Sequence, residues 1–150
     1  MDKDTLSKYR SEIIEKFINI EWIINIIISQ YYLKRADKSF LFEVLYDEYF
    51  SFALKRRILE KIIKNIANRD NRKIQDLNRL NTIRNYFAHC GQEYIKGPDK
   101  TQKGKVLDPK NIEEEVDFES LYSEFMKEQG SVANYLIQIS VDLGAELEKV

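Results

Sequence analysis

The chain has few of the residues that build metal cages, crosslinks and tight turns. Its 150 residues include one cysteine, one histidine, two prolines and five glycines. A single cysteine excludes an internal disulfide and a cysteine-based metal cage, and a single histidine argues against a zinc site within one chain. We therefore expect neither a metal nor another cofactor. Few glycines and prolines also mean few tight turns.

A long apolar run and a targeting segment are missing as well. The most apolar stretch, residues 18–28, is interrupted by Asn19, Glu21 and Asn25, whereas a membrane span needs about 20 apolar residues. The first ten residues mix acidic and basic side chains and lead into no apolar core, unlike a secretory signal. We expect a cytoplasmic protein with no membrane partner.

Charge is nearly balanced overall but unevenly placed. Lys and Arg number 24 and Asp and Glu 25, a net charge of −1, whereas a protein that coats nucleic acid is more basic. Residues 53–89 carry 10 basic and 3 acidic side chains, a net of +7, while residues 1–52 carry −2 and residues 90–150 carry −6. A basic block suits an anionic partner. It equally suits a solvated face balanced by the acidic C-terminal part.

Hydrophobic spacing predicts an all-α fold. The chain is 43% hydrophobic and long enough for one domain, residues 1–150, with its own core. The predicted helices span residues 4–33, 52–66, 72–89, 112–128 and 131–148, and a short helix is expected within residues 40–50. The predicted N-terminal caps are Asp4 or Thr5 for the first helix, Asp37 or Ser39 for the short helix, and Asp70 or Asn71 for the helix 72–89. We expect an up-and-down bundle of four to five helices.

Residues 90–111 contain three Gly, both Pro and five Lys, and we expect a long inserted loop that either flanks the site or has no role.

Two helices carry polar residues of interest. Glu21 and Asn25 lie one turn apart in the first helix, and a buried carboxylate is costly unless it is paired. We therefore expect the two to pair in the core, with a place in an active site as the alternative. In the helix 52–66, we expect Lys55 and Arg56 to lie away from the apolar face.

The only histidine stands at the end of the helix 72–89. Arg84 precedes His89 by five positions, with Asn85 next to the arginine. At about 100° per residue, Asn85 and His89 lie about 40° apart and share a face, whereas Arg84 and His89 differ by about 140°. Two arrangements would join the guanidinium to the imidazole: Arg84 reaches round the helix end, or a second subunit completes the site across a two-fold axis.

An arginine and a histidine suit RNA cleavage without a metal. Histidine can take the 2′-hydroxyl proton or protonate the leaving oxygen, and arginine can hold the phosphate and stabilise charge in the transition state. Beside Arg84 and His89, the predicted supporting and substrate-binding residues are Asn85, Tyr86, Arg79, Lys55 and Arg56. The same pair also fits an ordinary helix end, where both side chains complement the helix dipole.

The segment IRNYFAHC, residues 83–90, resembles the terminal-helix motif of the HEPN-domain family. That motif is an arginine followed after four to six residues by a histidine, often with asparagine directly after the arginine. The order of a long apolar helix, a basic helix and a motif helix is also similar over residues 10–90. The resemblance implies a bundle that dimerises around the helix Arg72–His89. It also implies a metal-independent endoribonuclease in toxin–antitoxin, defence or RNA-processing systems, with Arg84 and His89 catalytic.

The resemblance leaves partners and activity open. Some toxin members carry a tyrosine two positions after the histidine, where a partner nucleotidyltransferase adds nucleotides; here Gly91 occupies that position, and Tyr94 does not match. We expect RNA and an antitoxin or regulatory protein as partners. Other members of the family only bind nucleotides or proteins, and the helix end is also similar to the mannitol-operon repressor group. The alternative is therefore a non-catalytic HEPN-like binding or regulatory module, which the near-neutral charge favours.

Overall fold

Four long helices account for most of the described part of the chain. The computed structural model describes residues 2–66, 72–89, 106–108 and 111–145. Helix α1 spans Lys3–Leu33, α2 Phe52–Asn65, α3 Arg72–His89 and α4 Phe118–Asp142, and a π-helical stretch, Phe40–Leu45, lies between α1 and α2. The predicted all-α helical bundle is confirmed.

A two-stranded antiparallel ribbon precedes α4. Strand β1 spans Val106–Asp108 and strand β2 spans Asn111–Val116. Val106 lies opposite Val116, and the register shifts once within the pair. The prediction of a helix from residue 112 is wrong, because β2 occupies that stretch and α4 begins only at Phe118. Most of the predicted loop, residues 90–105, lies outside the described residues. The predicted caps of α3, Asp70 and Asn71, also lie outside them.

Helix α4 continues through Gly130, where two separate helices are predicted. A Cβ placed on Gly130 would meet nothing within 4 Å. Buried residues occur on both sides of it, Phe125 before and Val132 after, so the apolar face is not interrupted. A glycine inside a helix costs only about 1 kcal/mol relative to alanine, which packing on both sides outweighs.

Aspartate side chains accept bonds from the starts of two helical segments. Oδ1 of Asp2 accepts from the amide of Thr5 at 2.8 Å, so Asp2 caps α1 and the prediction of Asp4 or Thr5 as its cap is wrong. Oδ1 of Asp37 accepts from the amide of Phe40 at 3.0 Å. Asp37 therefore has the role predicted for it. Such bonds satisfy amides that have no partner within the helix.

The chain divides into two compact units, each with buried apolar side chains. The first unit is Met1–Phe17 with Asn78–Gln129, and the second is Ile18–Leu77 with Gly130–Val150. Buried residues of the first unit include Ile13, Phe17, Leu80, Ile83, Phe87, Phe118 and Phe125, and those of the second include Ile20, Ile24, Ile27, Ile28, Leu59, Ile62, Ile63, Leu136 and Ile139. The single domain over residues 1–150 stays a prediction.

An aromatic cluster attaches the π-helical stretch to α1 in the second unit. The ring of Trp22, the only tryptophan, lies 5.9 Å from both Phe42 and Tyr46 between centroids. Leu41 and Leu45 are buried, while Phe42 is 60% exposed. The stretch therefore buries its leucines and leaves one side of its aromatic surface open to solvent.

An ion pair is built into the core of the second unit. Lys55 of α2 is 2% exposed, and its Nζ donates to Oε1 of Glu21 at 2.7 Å. The predicted position of Lys55 away from the apolar face of α2 is wrong, because the pair with Glu21 compensates the buried charge. The expected pairing of Glu21 with Asn25 is not seen: Asn25 is fully buried, and its amide has no hydrogen-bond partner among the described residues.

Candidate active site at the end of helix α3

Helix α3 places the only histidine at an exposed helix end. Leu80, Ile83 and Phe87 are buried, and their spacing of three and four residues keeps them on one side of the helix. His89, the last residue of α3, is exposed. Its imidazole is accessible to a ligand, and in its protonated form it interacts favourably with the negative end of the helix dipole.

Arg84 is held beside the preceding turn of α3. Its Nη2 donates to Oδ1 of Asn81 at 2.8 Å, and its Cζ lies 4.8 Å from the centroid of the Phe17 ring, a cation–π distance. Asn81 precedes Arg84 by one turn, whereas His89 follows by five residues, or about 7.5 Å of helix rise. The guanidinium is therefore turned away from His89. The arrangement in which Arg84 reaches round the helix end is not the one observed.

Arg10 of α1 binds the C-terminal end of α3. Its Nε donates to the carbonyl oxygen of Phe87 at 2.7 Å, across 77 positions of sequence. The last four carbonyls of a helix have no partner within it, and Phe87 supplies one of them because α3 ends at His89. Sequence reasoning missed Arg10, since nothing in its spacing marks it as a partner of α3.

Arg79 binds a carboxylate of α4. Its Nε and Nη2 donate to the two oxygens of Glu124 at 2.6 and 2.7 Å, a bidentate, charge-assisted pair. These hydrogen bonds lower the pKa of Glu124 and raise the pKa of Arg79 relative to their ordinary values. The charge of this predicted substrate-binding residue is therefore offset by a neighbouring carboxylate.

Asn85 and Tyr86 lie next to the candidate site on α3. Both side chains are half-buried. Asn85 and His89 are one turn apart and so share a face of the helix. The first unit therefore contains His89, Arg84, Asn85, Tyr86 and Arg79 together.

The other two predicted substrate-binding residues belong to the second unit. Lys55 is the buried partner of Glu21, and burial removes its ammonium from the surface where a polymer substrate would bind. Arg56 is half-buried, with its Nε 3.8 Å from Oε1 of Glu60 one turn further along α2. The structure thus divides the predicted substrate-binding set between the two units.

A tyrosine–glutamate pair in the first unit was missed by sequence reasoning. The Tyr122 hydroxyl donates to Oε2 of Glu12, across 110 positions of sequence. The Tyr122 ring also stacks on Tyr9, with centroids 3.7 Å apart and planes 7° apart. The bond to Glu12 is the main cause that raises the pKa of Tyr122 to about 12. The pair connects α1 to α4 within the first unit.

The described residues contain no cluster suited to a metal ion. Nowhere among them do three His, Cys, Asp or Glu side chains come together as ligands would. None of the described helices combines the length and apolar character needed to cross a bilayer.

No family model, curated protein or solved structure matches the chain. Any assignment of function therefore depends on the side chains described above and on the motif that they form.

Proposed function

We propose that this chain is a metal-independent endoribonuclease. The observation that carries the proposal is the exposed imidazole of His89 at the end of α3, five positions after Arg84 and one turn after Asn85. The resemblance of residues 83–90 to the HEPN motif supports the same assignment. RNA as substrate, a cytoplasmic location and an antitoxin or regulatory protein as partner belong to this proposal.

In the proposed reaction His89 acts as the general base. Its imidazole removes the proton of a ribose 2′-hydroxyl, and the 2′-oxygen forms a bond to the adjacent phosphorus. The bond from phosphorus to the 5′-oxygen breaks, and that oxygen takes a proton from the imidazolium or from water. The products are a 2′,3′-cyclic phosphate and a 5′-hydroxyl, so DNA, which lacks the nucleophile, is not cut.

Arg84 stabilises the charge that builds on the phosphate oxygens in this proposal. Within one chain its guanidinium contacts Asn81 and Phe17, on the side of α3 away from His89. We therefore propose a homodimer around the Arg72–His89 helices, in which Arg84 of one protomer meets His89 of its partner.

A second candidate function is a non-catalytic HEPN-like module that binds a nucleotide or a regulatory protein. It is favoured because two of the cationic side chains predicted to bind the substrate form ion pairs with carboxylates of the same chain. Arg79 is paired with Glu124 and Lys55 with Glu21, which leaves a weaker positive field for RNA than the +7 block of residues 53–89 suggests.

The test is incubation of the purified protein with single-stranded RNA in the presence and absence of EDTA. His89→Ala is expected to lower kcat by about 100-fold or more, because general acid–base catalysis contributes that much. Arg84→Ala is expected to lower kcat/KM by about tenfold or more through lost charge stabilisation. Arg57→Ala is the matched control, since Arg57 is an exposed arginine of α2 outside the motif, and its activity should equal that of the wild type.

Cleavage that resists EDTA, leaves cyclic phosphate ends and disappears in the His89→Ala protein supports the ribonuclease. Equal cleavage by wild-type and His89→Ala proteins would rule His89 out as the base. RNA or nucleotide binding without any cleavage would favour the second candidate.

A further inference from the structure

We propose that the π-helical stretch, the turn after it and the adjoining part of α1 form a docking surface for a basic amphipathic helix of a partner protein. The surface consists of three neighbouring aromatic rings and three carboxylates of the same segment. We name it the acidic aromatic surface, and its residues are Trp22, Phe42, Tyr46, Glu43, Asp47 and Glu48. All of them belong to the second unit. The inference uses no residue of α3 and does not rest on the proposed ribonuclease.

The three rings form one patch that the chain covers only in part. The Trp22 ring contacts both of the others, and Phe42 stacks on Tyr46 with centroids 5.5 Å apart and planes 17° apart. Phe42 is 60% exposed and Tyr46 48% exposed. Ile18, also exposed, lies one turn before Trp22 and shares its face of α1. Single exposed apolar side chains are ordinary, whereas a contiguous exposed patch marks a surface that another molecule covers.

The backbone of the π-helical stretch holds these rings toward solvent. Leu41 and Leu45 are buried, and each directly precedes one of the exposed rings, Phe42 and Tyr46. The amide of Tyr46 donates to the carbonyl of Leu41 at 3.1 Å, the hydrogen bond to the fifth preceding residue that defines a π-helix. The stretch cannot turn its rings inward without exposing the two leucines. The fold therefore fixes the exposure of the rings, and π-helical turns occur frequently at functional sites.

Negative charge on this surface selects the kind of partner. Residues 40–50 contain three acidic side chains and no basic one, and Glu43, Asp47 and Glu48 are all exposed. Glu43 and Glu48 have no ion-pair partner within the described part of the chain. A basic partner is attracted to such a surface, whereas RNA, an anionic bilayer and the same surface of a second copy are repelled.

The spacing of the rings fits a helix. The centroids of Phe42 and Tyr46 are 5.5 Å apart, and one turn of an α-helix rises about 5.4 Å. Apolar side chains one turn apart on a partner helix would therefore each meet one ring, as in other complexes that bind an amphipathic helix. Glu43 and Asp47 each directly follow one of these rings, so a row of lysines or arginines beside the apolar row would meet the carboxylates. The rings also attract cations, since Nζ of Lys55 lies 5.5 Å from the centroid of the Tyr46 ring.

The binding experiment uses a synthetic amphipathic helix as its probe. The peptide has about 14 residues, or about four turns, with leucine on one face, lysine on the other and a fluorescein label. A second peptide has glutamate in place of every lysine. Anisotropy of the label gives Kd at low and at high salt. With unlabelled peptide, the emission of Trp22, the only tryptophan, reports whether the peptide binds at the aromatic cluster.

Removal of one exposed ring tests the apolar part of the surface. Phe42→Ala should raise the Kd of the lysine peptide about tenfold, because a central aromatic side chain is lost from the interface. Tyr32→Ala is the matched control, since Tyr32 is an exposed aromatic residue of the same unit. It follows Trp22 by ten residues of α1, or about 15 Å of helix rise, and its Kd should equal that of the wild type.

Removal of two carboxylates tests the acidic part. Glu43→Gln/Glu48→Gln should raise Kd about fivefold at low salt, the effect of two exposed ion pairs, and much less at high salt. Asp47 is kept because its side chain accepts a backbone hydrogen bond. Glu15→Gln/Glu119→Gln is the control, since it removes two exposed carboxylates of the first unit and gives the same net charge. If Phe42→Ala is unfolded, the charge variants decide.

We expect saturable binding of the lysine peptide together with a change in Trp22 emission, and no binding of the glutamate peptide. Three results would overturn the proposal: no saturable binding of the lysine peptide, equal Kd values for the two peptides, or equal Kd values in the surface variants and their controls. Sedimentation of the protein alone tests a second copy as the occupant. Loss of a wild-type dimer in Phe42→Ala would assign the surface to self-association instead. Single-stranded RNA that changes Trp22 emission at lower concentration than the lysine peptide would likewise overturn the proposal.

Discussion

Asn25 brings an amide into the core of the second unit. The residue is fully buried, and neither polar atom of its side chain has a hydrogen-bond partner among the described residues. An unsatisfied buried polar group costs about 1–3 kcal/mol. Glu21, one turn earlier on α1, is bound to Lys55 instead. The amide of Asn25 therefore lowers the stability of the fold as it stands.

Asn25→Leu is expected to raise the free energy of unfolding by about 1 kcal/mol or more, because it removes the unsatisfied amide and keeps a side chain of similar size. Urea denaturation followed by circular dichroism measures the change. Asn19→Leu is the control, since Asn19 is an exposed asparagine of the same helix and should change little. A loss of stability in Asn25→Leu would show that the amide is bound in solution.

At the scale of the helices, two glycines, one inside α4 and one just after its end, have opposite requirements. Gly130 lies inside the helix with open space where a Cβ would be. Gly144 follows the helix end with φ +89°, and its amide donates to the Val141 carbonyl at 2.8 Å. A positive φ is the usual conformation of a glycine that ends a helix, and a side chain there is strained.

Gly130→Ala is expected to raise the free energy of unfolding by about 1 kcal/mol through helix propensity, and Gly144→Ala to lower it by about 1 kcal/mol through strain in the left-handed region. The same substitution inside α4 and just after its end therefore has opposite effects on stability. Thermal unfolding of both variants beside the wild type measures this. A loss of stability in Gly130→Ala would mean that α4 is interrupted at that residue in solution.

The main helices could be predicted because their signal is local. The predicted segments 4–33, 52–66 and 72–89 lie within two residues of the observed helices, since buried residues recur every three or four positions and polar segments separate them. The ribbon β1–β2 was missed because short strands leave little periodicity. The predicted break at Gly130 was wrong because continuous packing outweighs one glycine.

The candidate site was predictable only where it lies on one helix. His89 and Asn85 on one face of α3 follow from spacing alone. Arg10 reaches α3 across 77 positions, and Lys55 turns inward to a partner 34 positions away. Such contacts are fixed by the packing of helices on one another, which no local pattern records.

For the whole molecule, ion pairs offset part of the positive charge of residues 53–89. The net charge of −1 conceals a basic block of residues 53–89, yet Arg79 and Lys55 within that block bond to carboxylates outside it. Carboxylates of α1 and α4 therefore neutralise part of the block. A polyanion would meet a weaker field than sequence counting suggests.

Heterodimers can show whether Arg84 of one protomer serves His89 of its partner. Differently tagged Arg84→Ala and His89→Ala chains are co-expressed and purified through both tags. If each site takes one residue from each chain, one of the two sites is intact and about half of the wild-type activity is expected. If each site takes both residues from one chain, no intact site exists, and activity at RNA concentrations below KM stays below a tenth of wild type. Recovery of no heterodimer would contradict the proposed homodimer.

The aromatic cluster around Trp22 gives the protein an optical signal that belongs to one unit. Trp22 lies in the second unit against Phe42 and Tyr46, so its emission wavelength follows how well that cluster excludes water. The imidazole resonance of His89 follows the first unit instead. An unlabelled sample warmed stepwise would therefore reveal by fluorescence and by NMR whether the two units melt together or one after the other.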